Sequence, residues 1–231
     1  TSLPGAKRKN FLTGSSIKSL RSMVVIDPVK VVITNYPEGQ TELVTVENNP
    51  ENEELGNREV VFGREIYIER NDFMEEPVKK FFRLAPGKEV RLKGAYFITC
   101  TDVIKDENGN ITEIHCTYDP ETKSGSGCTR KVKGTLHWVE ASTAVDIESR
   151  LYDYLLKEDS DGKDFLGDFN HESLQVFNSK GEACLTTTVP GDRFQFLRQG
   201  YFVTDKVSTP DHIVMKRIVC LRDSWAKEQK K

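Results

Sequence analysis

From Met23 onward the chain places apolar and polar residues in alternation, in short runs bounded by turn formers, and that period of two predicts strands. The runs are VVIDPVKVVIT, TELVTV, REVVF, REIYIER, VRLKGAYFITC, ITEIHCTY, VKGTLHWV, LQVF, FQFLRQGYFV and HIVMKRIVCL, about ten strands in all. Asn108-Gly109 between two alternating runs predicts a tight hairpin and hence antiparallel pairing. Strands this closely spaced, without long helices between them, point to barrels or sandwiches rather than to βαβ units. One helix is expected over residues 144–156, because Ala144, Ile147, Leu151, Tyr154 and Leu155 recur at helical spacing behind Ser142, a capping residue. Short helical turns are expected at 72–76 and 170–174, and a mobile polar loop at 122–129. Residues 1–22 carry five basic side chains and no apolar period, which reads as a linker or frayed end.

With 231 residues the chain has room for two small domains, and 37% hydrophobic residues suffice for their cores. No apolar run is long enough to cross a bilayer. The formal charge is −3, so a nucleic-acid site must be a local basic patch rather than a global excess. Five cysteines without a CxxC pair or a leader fit reduced thiols and a cytoplasmic location. A chain that starts at Thr1 is expected to be part of a longer one.

Such a patch exists between positions 77 and 93, where Lys79, Lys80, Arg83, Lys88, Arg91 and Lys93 face only Glu89. On a strand Arg91 and Lys93 share one face about 6.7 Å apart, with Val90 and Leu92 turned to the core. Phe81, Phe82 and Tyr96 interleave with these cations, the mixture that single-stranded RNA sites use for stacking and charge. The plainer reading is a solvated strand face over an aromatic core. In Phe194-Gln195-Phe196-Leu197-Arg198, Gln195 and Arg198 carry paired hydrogen-bonding groups but fall on opposite strand faces. They reach one ligand only through a bend, for which Gln199-Gly200 is the candidate. The four histidines lack metal-ligand spacing, so no metal is expected, and His137 beside Trp138 reads as packing. No GxSxG elbow or phosphate-binding glycine loop occurs, and no catalytic residue is assigned.

Seven strings in order, MVVIDPVKVVITNYPEG, FGREIYIERNDFMEEP, KKFFRLAPGKEVRLKGAYFITC, KVKGTLHWV, RLYDYLL, FQFLRQGYF and LRDSWAK, closely resemble the C-terminal anticodon-binding half of bacterial glutaminyl-tRNA synthetases. The resemblance runs from Arg21 to Lys227. It implies a mainly β fold of two antiparallel closed barrels with one connecting helix. The divisions are a basic end at 1–22, a first barrel at 23–134, and a helix plus second barrel at 135–231, with N-terminal strands open to exchange between barrels. By motif position it implies anticodon contacts at Arg21, Arg83, Arg91, Lys93, Gln195 and Arg198, with Lys79, Lys80, Asn48 and Asn52 as further RNA-binding candidates. Lys93 stands where the family pattern has Arg, Lys80 and Phe82 where it has Gln and Lys, and Glu51 where it has Asn, whence Asn48 and Asn52 as substitutes.

The HIGH and KMSKS signatures of class I synthetases are missing from the sequence, so the chain alone is expected not to aminoacylate and to need no cofactor. The resemblance assigns ATP and magnesium to the full-length enzyme. It also implies a monomer without membrane contact, whose partners are the tRNA(Gln) anticodon stem-loop and its own N-terminal catalytic half. Residues 144–156 and Trp225 are candidates for docking that half, against ordinary barrel capping. The alternatives are the barrel pair of an archaeal or eukaryotic-type glutamyl-tRNA synthetase and a free-standing RNA-binding barrel protein.

Overall fold

The structure, a computed structural model, describes residues 20–49, 52–157 and 165–221. Its strands are β1 (Leu20–Ser22), β2 (Val24–Val25), β3 (Pro28–Ile33), β4 (Thr41–Glu47), β5 (Asn57–Gly63), β6 (Glu65–Glu69), β7 (Glu89–Leu92) and β8 (Phe97–Lys105). They continue with β9 (Ile111–Asp119), β10 (Thr135–Leu136), β11 (Val139–Glu140), β12 (Val145–Tyr152), β13 (Leu174–Gly181), β14 (Arg193–Phe196), β15 (Gly200–Thr204) and β16 (Ile213–Cys220). Helical structure among the described residues is limited to four short 3₁₀ turns, at Glu53–Leu55, Arg70–Asp72, Pro120–Thr122 and Ala183–Thr187. The expected linker up to residue 19, Glu51, and Trp225 lie outside the described residues.

Two seven-stranded sheets curl into near-closed barrels, in the orders β10-β7-β8-β9-β3-β6-β11 and β1-β14-β15-β16-β12-β13-β2, while β4 and β5 form a separate ribbon. Most neighbours are antiparallel, but β1/β14, β10/β7, β3/β9 and β12/β16 run parallel. Sheet membership does not follow a division at 134/135: β10 and β11 complete the first sheet, and β1 and β2 belong to the second. The run VVIDPVKVVIT is therefore two strands on two sheets, β2 and β3, with a bend at Ile26-Asp27 between them. Glu69 fixes that bend, its carboxylate accepting from the Ile26 amide at 2.7 Å and the Asp27 amide at 3.1 Å.

The stretch around β2 faces both cores. Met23 and Val25 are buried in the first, with Ile33, Phe62, Leu92 and Trp138. Val24 and Ile26 are buried in the second, with Phe196, Phe202 and Met215. Strand alternation alone produces this, because successive side chains leave on opposite faces and here both faces are protein. At about 1.5–3 kcal/mol per fully buried aliphatic side chain, each of these four residues ties the β2 stretch to one core or the other.

The helix expected at 144–156 is not formed. Val145–Tyr152 is β12, paired to β13 on one side and β16 on the other. The same letters carry a second period: Ile147 and Ser149 are buried while Asp146 is exposed, and β13 pairs along the whole strand while β16 pairs with Ile147–Arg150 on the other side. Ser142 caps nothing; its hydroxyl donates to Glu140 at 2.8 Å, and Thr143 does the same at 2.8 Å, closing a turn instead. The turn expected at 72–76 is not formed there: a 3₁₀ turn lies just before it at Arg70–Asp72, and 170–174 is a hydrogen-bonded turn leading into β13.

A polar knot sits beside the first core. Glu42 accepts from the Tyr96 hydroxyl at 2.8 Å and the Tyr36 hydroxyl at 3.1 Å, and pairs with Lys123. Burial pushes the Glu42 carboxyl up, but the bonds from Lys123, Tyr96 and Tyr36 outweigh it and hold the group below the usual carboxylate range. Burial and the adjoining Glu42 charge push the Tyr36 phenol up to about 12.

Candidate nucleic-acid interface

The β14–β15 connection places Arg198 between the barrels. The Gln199 amide donates to the Phe196 carbonyl at 3.0 Å, closing a four-residue turn whose third residue, Arg198, has φ of 67°. Leu197 beside it packs against the first core although its strand belongs to the second sheet. The bend thus falls at Arg198 itself, one residue before the Gln199-Gly200 step.

Turned this way, the Arg198 guanidinium forks onto Asp72 at 2.6 and 2.7 Å. Asp72 is almost fully buried, and Arg83 approaches the same carboxylate at 3.3 Å while donating to the Asn71 carbonyl at 3.2 Å. One carboxylate therefore holds two arginines from opposite sides of the cleft, the bidentate geometry that suits guanidinium. Arg198 Nη1 also lies 3.4 Å from His137 Nδ1, and His137 Nε2 lies 3.3 Å from Glu69, which accepts from the Gln199 carboxamide at 2.6 Å. A neutral His137 with its proton on Nε2 satisfies both contacts: it donates to Glu69 and accepts from Arg198. Glu69, Asp72, Arg83, Arg198 and Gln199 line a cavity of about 570 Å³ that also meets Gln175 and Phe177 of β13, with His137 buried behind them.

A second group forms where β1 meets β14. Arg21 and Gln195 are register partners, and Arg21 Nε donates to the Gln195 carboxamide oxygen at 2.9 Å. The Arg21 amide reaches the Asn48 carbonyl at 3.4 Å. Next to Asn48, Glu47 pairs with Lys93 at 3.3 Å, so Arg21, Asn48 and Lys93 form one connected group around Gln195, which is itself mostly buried. The Asn48 carboxamide donates to the Leu55 carbonyl and accepts from Arg58, and Asn52 caps the Glu53–Leu55 turn, so both have duties inside their loop.

Val90 and Leu92 are buried and Arg91 and Lys93 lie on the outer side of β7, as the alternation implies. Arg91 is laid 4.2 Å over the Phe97 ring and donates to Ser124 at 3.1 Å, an arrangement that holds the guanidinium in place. Lys79 and Lys80 are exposed in the turn that the Phe81 amide closes onto Val78. The candidates thus fall into four neighbourhoods: Arg83 with Arg198, Arg21 with Gln195, Lys93 and the loop residues Asn48 and Asn52, Arg91 on its own aromatic support, and Lys79 with Lys80 in their exposed turn.

Two profiles of one family match the chain, over residues 19–119 and 135–205, both described as tRNA synthetases class I (E and Q), anti-codon binding domain. The chain belongs to this family. A Glutamine–tRNA ligase of Clostridium perfringens is 54% identical over 210 residues, which cover 89% of the chain and 38% of that protein. One of Clostridioides difficile is 53% identical over 214 residues (90% and 39%), and one of Bradyrhizobium diazoefficiens is 50% identical over 211 (90% and 38%). The chain spans under two fifths of the length of these relatives.

In this anticodon-binding domain the supporting residues are ones that sequence patterns did not single out. Asp72 and Glu69 are buried acids, and His137, read from sequence as packing, touches both Glu69 and Arg198. Glu182 plays the matching role at the other end of β2, accepting from the Met23 amide at 2.6 Å and from Arg58 at 2.6 and 2.7 Å. Glu69 closes β6 and Glu182 follows the last residue of β13, so each acid stands at a strand end where a pattern of alternation does not mark it. Among the described residues no three His, Cys, Asp or Glu side chains converge as metal ligands, and no helix is long and apolar enough to cross a membrane.

Proposed function

We propose that this domain reads the anticodon loop of tRNA(Gln) for a glutamine–tRNA ligase. The observation that carries the reading is the cleft in which Arg198 of one barrel and Arg83 of the other share buried Asp72, with Arg21 and Gln195 side by side at the β1/β14 edge. Loop bases splayed from their stack meet there guanidinium and carboxamide groups already oriented by protein partners, so little side-chain freedom is lost on binding. Arg21, Gln195, Arg83 and Arg198 face base edges. Arg91, Lys93, Lys79 and Lys80 neutralise phosphates, and Asn48 and Asn52 shape the loop beside them.

The ligase activity, with its ATP and magnesium, belongs in this reading to a catalytic half outside the chain. The half-chains act together as a cytoplasmic monomer. Relatives named for glutamine, at about half identity, support glutamine over glutamate as the amino acid.

The test is binding of the chain to a stem-loop with anticodon CUG or UUG, against the same stem with the middle base changed, across a salt series. A several-fold preference for the cognate loops, retained as salt rises, supports base reading. Equal affinities that fall together with salt reduce the domain to a phosphate-binding surface.

A further inference from the structure

Beyond the cleft, Arg83 borders a second cavity, of about 460 Å³, whose other walls include Lys80, Phe82, Lys88, Lys133 and Gly134. Phe82 is half-exposed, although Phe81 before it and Leu84 after it are buried. Its position is fixed by backbone: a Cβ on Gly134 would lie 2.1 Å from the Phe82 carbonyl oxygen, so only glycine lets the two segments lie this close. Lys133 Nζ lies 4.8 Å from the centre of the Phe82 ring. The one acid in the cavity wall, Glu89, is paired with Arg130 at 3.0 Å, which leaves the site strongly cationic. An exposed aromatic ring ringed by lysines is the make-up of a stacking platform for single-stranded nucleic acid.

We infer that this cavity is a further nucleotide site, in which a loop base flanking the anticodon triplet stacks on Phe82 and its phosphate is taken by Lys80, Lys88 and Lys133. The inference rests on the anticodon reading for its ligand and goes beyond it, because it places a base outside the triplet. Arg83 lines both cavities, so a strand in the cleft reaches this one past the same guanidinium. An exposed cation–π contact is weaker than a base stack, so Lys133 yields the ring to the base and moves to its phosphate. The cavity volume lies within the range of small-ligand sites.

The experiment measures binding of the 231-residue chain and its Phe82→Ala and Phe82→Trp variants to the CUG stem-loop. The same stem-loop is also used with the base removed at the 5′ or the 3′ flank of the triplet. Phe82→Ala is expected to weaken binding of the intact loop by about 5- to 100-fold, and Phe82→Trp to stay within about 3-fold of the parent. The Phe82→Ala loss is expected to shrink to under about 2-fold on one of the two abasic loops. A loss of equal size on all three loops, or no loss on any, overturns the site, and melting curves of Phe82→Ala that match the parent separate this from misfolding. Changing the middle anticodon base tests the parent reading independently. Discrimination there without Phe82 coupling removes only this site; Phe82 coupling without discrimination leaves a single-strand site and removes the anticodon reading. A chain that binds no loop overturns both.

Discussion

Lys80 and Arg198 share a left-handed backbone, with φ of 69° and 67°, adopted by no other non-glycine residue among those described. Each is the third residue of a tight turn, and each is a basic candidate for RNA contact. A side chain in this region costs about 1–2 kcal/mol, and such strain gathers where surroundings hold a functional group in place.

Lys80→Gly separates that strain from function. Relief of about 1–2 kcal/mol, less about 0.5–1 for glycine's freedom in the unfolded chain, leaves a gain of about 0.5–1 kcal/mol in urea unfolding. The lost charge is expected to lower the slope of log K against log salt by about 0.7, one single-strand phosphate contact. Unfolding and RNA titration of the same variant check the two signs together.

Asp72→Asn is expected to cost about 3–5 kcal/mol in stability, because it leaves Arg198 and Arg83 crowded without their shared anion. If the variant stays folded, its overall RNA affinity rises or holds with the added positive charge, while the ratio between cognate and altered loops falls. Anisotropy titrations with both loops read that ratio directly.

Arg198→Ala is expected to weaken the cognate loop by about 1–3 kcal/mol and a loop with a changed middle base by much less, since base contacts specify and phosphate contacts position. Equal losses on both loops would make Arg198 a phosphate anchor.

Acid should undo the Glu42 knot. Its folded pKa is depressed, so its contribution is fully present above the unfolded value near 4.3 and is lost as pH falls through the folded one. Glu42→Gln is expected to cost about 1.5–3 kcal/mol at pH 7 and to flatten the decline of urea midpoints as pH falls below the unfolded value.

The strands were legible because one face of each is buried, which is what alternation records. The helix at 144–156 was misread because VDIESRL fits two periods. Only the neighbours β13 and β16, distant in sequence, decide between them. At the interface, Arg198 and Gln195 were visible as residues of the right chemistry. Asp72, His137 and Glu69 were not, because their meaning lies in which strand packs against which turn. The assignment of β10 and β11 to the first sheet was equally hidden, since KVKGTLHWV reads as one strand of either barrel.

Because Met23 through Ile26 are buried alternately in the two cores, neither barrel owns its own wall. Prising the barrels apart would expose both faces of β2 at once and lose the burial of all four residues together. Heat or denaturant should therefore find one cooperative unit where the eye counts two, and a cut between residues 134 and 135 should release no half that survives a protease.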